Sequence, residues 1–163
     1  MSIESLRQIT EQRRWRVVAE NDLAGTAPIQ ANSETVATYW IEAGHRMREQ
    51  IADDALLCSF LRRHAHAYPG PTVLLYRGEN KARYEARQIG LAWTPERSVA
   101  EMFARGINSV GSGGVVLKTI CEPGAVISAP NEHSAHLQES QFTLDVRLLS
   151  SIEVITEFPP AYA

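Results

Sequence analysis

Pro69-Gly70-Pro71 divides the chain into two stretches that cannot share one secondary structure. Proline lacks a backbone N–H and its ring clashes with the preceding turn, so a helix arriving from the N-terminal side must end by Tyr68. Ahead of this block the apolar residues recur at helical spacing. Ile3, Leu6 and Ile9 mark one amphipathic helix within residues 2–20, and Gly25 and Pro28 then mark a loop. A second helix is expected from Asn32 or Ser33, either of which can cap free backbone amides. Val36, Tyr39, Trp40, Ala43, Met47, Ile51, Ala55, Cys58 and Leu61 carry it towards residue 68, with Gly44 as the place for a kink.

Beyond the block the period changes. Thr72–Arg77 is a compact β-rich run after a turn, and Leu91–Trp93 reads as a short strand. Thr94-Pro95-Glu96 has the make-up of a helix start, with a hydroxyl cap, a proline at the first position and an acid in the first turn. That helix is expected to reach about Ala104, with Val99, Met102 and Phe103 inward, and to stop near Gly106. Gly111–Gly114 supplies a turn into a strand over 115–120. Val126-Ile127, Gln141–Val146 and Ile152–Phe158 supply further strands. The expected class is α+β: a helical front over 1–68 and a strand-rich core over 72–158, folded as a single domain.

Charge narrows the partners. The chain of 163 residues carries a formal net charge of −3 with both signs interspersed, and a general nucleic-acid binder needs a net basic surface. No apolar run approaches the roughly 20 residues that span a bilayer, so no membrane partner is expected. Met-Ser-Ile-Glu-Ser-Leu-Arg lacks the zones of a signal peptide. Cys58 and Cys121 stand far apart and are expected as buried free thiols in a reducing cytoplasm. His64 and His66 lack partners at metal-ligand spacing, and His133 and His136 read as solvated loop residues, so no metal is assigned. An interaction protein using Trp15, Tyr39 and Trp40 as a partner surface is a further reading, against the plainer one that these residues pack against the sheet.

Three segments carry the candidate chemistry: Tyr76-Arg77-Gly78-Glu79, then Gly90-Leu-Ala-Trp93-Thr94 with Ala100-Glu-Met-Phe103-Ala104, then Glu139-Ser-Gln141. Singly, each has an ordinary reading: a surface ion pair for Arg77, core packing for Trp93 and Phe103, a helix cap for Thr94, a solvated acid for Glu139. In this order they resemble the Arg … Ser-Thr-Ser … Glu architecture of the ADP-ribosyltransferases. The nearest flavour is a group of small bacterial and phage proteins with Tyr-Arg-Gly, Gly-Leu-(Ser/Ala)-Trp-Thr, Ala-x-x-Phe-Ala and Glu-x-Glu. The likeness covers the second half of the chain, and the helical front resembles no family.

The resemblance implies a split mixed β-sheet that grips NAD as a substrate, and mono-ADP-ribosyl transfer to a macromolecule such as a protein, in a toxin- or effector-like setting. Arg77 would meet the pyrophosphate by charge-assisted hydrogen bonds. Gly78 would let the backbone approach the carboxamide, and Phe103 or Trp93 would stack on the nicotinamide. Thr94 would tie the two central strands together and orient the catalytic carboxylate. Glu139 would serve the acceptor side. The departure is Gln141, where the family has the glutamate that stabilises the oxocarbenium ion. Three readings stay open: Glu139 reaches the ribose in a shifted register, Glu79 or Glu132 substitutes, or the protein binds NAD without efficient transfer.

Overall fold

The computed structural model describes residues 1–130 and 140–161. The chain forms two compact units, Met1–His66 and Ala67–Ala163. The first is helical: α1 (Ile3–Glu11), α2 (Trp15–Ala24), α3 (Ser33–Ile51) and α4 (Asp54–His64). Each of the two expected helices is therefore broken in two. The breaks fall at Arg13 and Ala52, both with φ 53°, a left-handed conformation reached here without glycine. Asn32 caps α3 by accepting from the Thr35 amide at 2.8 Å, as expected. Asp53 does the same for α4 through the Leu56 amide. The irregular residue inside α3 is Ala43, next to the expected Gly44.

Trp15, Tyr39 and Trp40 are buried, which removes them as a partner surface. The Trp15 indole N–H donates to Thr10 Oγ1 at 2.7 Å, and that oxygen lies 2.6 Å from the Tyr39 hydroxyl. Asp22 is fully buried as well. Its carboxylate accepts from the Ile29 amide and lies 2.8 Å from His64 Nε2 and 3.3 Å from Arg63 Nε.

Among its described residues the second unit carries six strands: β1 (Val73–Asn80), β2 (Ala92–Trp93), β3 (Gly114–Cys121), β4 (Val126–Ser128), β5 (Phe142–Leu144) and β6 (Glu153–Phe158). They form two three-stranded sheets, ordered β1-β3-β6 and β2-β5-β4. Every strand pair in them is antiparallel, so the mixed sheet expected from the resemblance is not what these strands build. Among the described residues the sheets meet at one bridge, between Tyr76 and Thr94, where each amide donates to the other carbonyl at 2.7 and 2.8 Å. Leu75, Val115 and Leu117 from one sheet and Trp93, Val126, Phe142 and Leu144 from the other share one core.

Among its described residues this unit has two α-helices. The short α5 (Lys81–Glu85), capped by Asn80, has no counterpart in the sequence reading. The second, α6 (Arg97–Arg105), starts later than expected: Thr94 Oγ1 accepts from the Glu96 amide in a turn, and the helix begins at Arg97. Its inward face also differs. Ala100 and Ala104 are buried, while Met102 and Phe103 are exposed. The cause lies across the interface. A Cβ on Gly78 would sit 2.2 Å from the Ala100 carbonyl oxygen, and one on Gly114 would sit 1.8 Å from that of Ala104. The helix rests on bare backbone, so only small residues fit beneath it.

Candidate functional site

Arg77 lies inside β1 rather than at its end, because the strand continues to Asn80. Side chains alternate along a strand. Leu75, Arg77 and Glu79 therefore share the face turned to the common core, while Tyr76 and Gly78 face α6. The Arg77 guanidinium is mostly enclosed, at 18% exposure, and Glu79 is buried at 1%.

The ladder between β1 and β2 stops after the Tyr76–Thr94 bridge, and side chains continue it. The next antiparallel pair would set Gly78 opposite Ala92. Instead Arg77 Nη1 donates to the Ala92 carbonyl at 2.8 Å. One step further, the Gly90 amide donates to Glu79 Oε2 at 2.9 Å. The same oxygen accepts from Arg77 Nε at 2.8 Å. Glu79 Oε1 accepts from the Asn80 amide at 2.9 Å, and Arg83 Nε lies 3.5 Å away. A Cβ on Gly90 would fall 2.1 Å from Arg77 Nη2. Gly90 is not among the glycines at positive φ, so its role is to leave room for the guanidinium.

Burial alone pushes the Glu79 carboxyl up. The Arg77 charge and the Gly90 and Asn80 amides outweigh it, and the net shift is below the ordinary carboxylate range. Glu79 is thus an ionised, fully sequestered acid, which removes it as a substitute for the family's catalytic glutamate. With two guanidiniums beside one carboxylate, the cluster keeps a net positive charge. Arg77 uses two of its five N–H groups on Glu79 and Ala92. Nη2 bonds to none of the described residues.

The other expected site residues divide. Thr94 does tie β1 to β2, but through its backbone. Trp93 is 1% exposed with its indole N–H on the Gly90 carbonyl, so it belongs to the core and offers no face to a ligand. Phe103 is exposed, yet its Cβ lies beside Gly78 on the face of the sheet away from Arg77. It does not flank the guanidinium. The space freed by Gly78 is taken by α6, while its carbonyl accepts from Asn108 Nδ2 at 2.8 Å. Gln141 is half-buried just before β5 and makes no hydrogen bond to a described residue. Glu139, like Glu132, His133 and His136, lies outside the described residues.

Sequence reasoning passed over the buried pairing of Glu79, although its spacing of two from Arg77 on a strand was the available signal. Cys58 and Cys121 are buried and not joined in a disulfide, and burial raises Cys121 above the ordinary thiol value. Among the described residues no helix is long and apolar enough to cross a membrane. No protein-family model matches the chain, and neither curated proteins nor solved structures gave a match.

Proposed function

We propose that the second unit is an NAD-binding domain of the ADP-ribosyltransferase type, working as a slow mono-ADP-ribosyltransferase on a macromolecular, most simply protein, acceptor in the cytoplasm. The observation that carries this reading is Arg77, held between the β1-β3-β6 and β2-β5-β4 sheets, with Nη2 bonded to none of the described residues. An arginine on a strand beside a second sheet is what supports this reading of the resemblance. The net positive charge around Glu79 suits a pyrophosphate. Neither aromatic first considered for the nicotinamide enters this version of the site.

The reaction class breaks the bond between nicotinamide and ribose and leaves positive character on the ribose. The neutral Gln141 can hydrogen-bond a ribose hydroxyl but supplies no opposing charge, which makes the transfer slow. That same residue, with Glu79 sequestered, favours a second reading: a member that binds NAD or a partner without turnover. Calorimetric titration with NAD and a nicotinamide-release assay on the unaltered protein test both. Heat of binding with release above background supports the transferase, and binding without release supports the second reading. No binding overturns both.

A further inference from the structure

We propose that Glu79 and Gly90 are positioning residues for anion recognition by Arg77, together fixing the guanidinium that meets the pyrophosphate; this rests on the NAD reading above. An arginine side chain has many rotamers, and a ligand that must freeze them loses affinity. Here the freezing is done in advance. Glu79 Oε2 holds Nε at 2.8 Å, the Ala92 carbonyl holds Nη1 at 2.8 Å, and the missing Gly90 side chain gives the guanidinium its seat. Glu79 is itself fixed by the Gly90 and Asn80 amides at 2.9 Å each. It touches no ligand. Its part is to set the plane of the group that does.

The ligand class follows from what is left over. Nη2, seated against Gly90, bonds to none of the described residues, and Arg83, its side chain 52% exposed, adds a second guanidinium at the same carboxylate. Two donors of this kind suit a diphosphate rather than a single carboxylate.

The test uses the full chain with two probes, NAD and inorganic pyrophosphate, titrated into the parent, Glu79→Gln, Gly90→Ala and Arg77→Lys. Glutamine at 79 must turn an amide N–H₂ towards groups that are all donors, so the seat of Arg77 is lost. Gly90→Ala leaves every charge in place, and the three atoms nearest the added Cβ all belong to the Arg77 guanidinium. Both variants are expected to bind each probe on the order of tenfold more weakly than the parent. The Arg77 Nε–Hε NMR resonance should move in both, a change that loss of fold alone would not mimic in a protein whose other resonances persist. Should Glu79→Gln fail to fold, Gly90→Ala decides. Parent-like affinity in Gly90→Ala, with Arg77→Lys impaired, overturns the positioning role and leaves the NAD reading standing. Binding of pyrophosphate but not NAD, weakened in Gly90→Ala, supports the positioning role and removes the dinucleotide. Binding of neither probe by the parent overturns both.

Discussion

Arg77 and Glu79, two residues apart on one strand, bring guanidinium Nε and carboxylate Oε2 within 2.8 Å and stitch β1 to the Gly90–Ala92 segment where the backbone ladder has stopped. The pair is both a candidate ligand group and a fastener, and its two roles separate under mutation and pH.

The fastener sets an acid limit on stability. Glu79 has its carboxyl pKa lowered in the folded protein, so its contribution is present above the unfolded carboxylate value and is lost as pH falls through the folded one. The melting temperature of the parent should therefore fall as pH drops below about 4. A Glu79→Gln protein that folds should be less stable at neutral pH and lose less on acidification. Equal acid sensitivity in parent and variant, followed by circular dichroism, would count against the buried ion pair.

Restoring the missing charge should raise turnover. A carboxylate beside the ribose is worth about a hundredfold in rate when it stabilises developing positive charge. Gln141→Glu is thus expected to increase nicotinamide release by up to that factor, with little change in NAD affinity. An unchanged release rate would mean that residue 141 does not face the ribose.

Helix α6 should be intolerant of a single methyl group beneath it. Gly78→Ala and Gly114→Ala place a Cβ 2.2 and 1.8 Å from backbone oxygens of Ala100 and Ala104, atoms that cannot rotate away. Each should cost about 1–3 kcal/mol in urea denaturation. Gly124→Ala, where a Cβ would meet nothing within 4 Å, is the control and should stay within about 0.5 kcal/mol of the parent.

In the helical unit stability should depend on the buried carboxylate of Asp22. Asp22→Ala leaves the Ile29 amide without its acceptor and His64 and Arg63 without their anion. A loss of about 3–5 kcal/mol is expected, measured by denaturant unfolding of the whole chain. A loss under about 1 kcal/mol would show that water replaces the carboxylate at no cost.

Much of this architecture is written locally. The change from helix to strand around Pro69-Gly70-Pro71, the Asn32 cap and the strands near 73, 115 and 153 follow from period and breaker residues alone. The breaks at Arg13 and Ala52 do not, because neither is a residue that advertises a left-handed turn. The inward face of α6 misled for a different reason: large apolar residues are read as core, but the surface opposite is glycine backbone and admits only alanine. At the site, the Tyr-Arg-Gly and Gly-Leu-x-Trp-Thr segments do come together at the β1–β2 junction. The burial of Trp93 matches the ordinary core reading of that residue, whereas the burial of Glu79 was not legible, since it depends on which sheet closes over it.

The contact of α6 with Gly78 and Gly114 has a consequence for how this chain tolerates change. Where two backbones touch, no rotamer adjustment on either side absorbs an added atom, so sequence drift is locked at residues 78, 100, 104 and 114. Met102 and Phe103, pointing outward from the same helix, are free of that lock. A diverged copy of this domain would be recognised by four small residues at these spacings long before its larger apolar ones could be aligned.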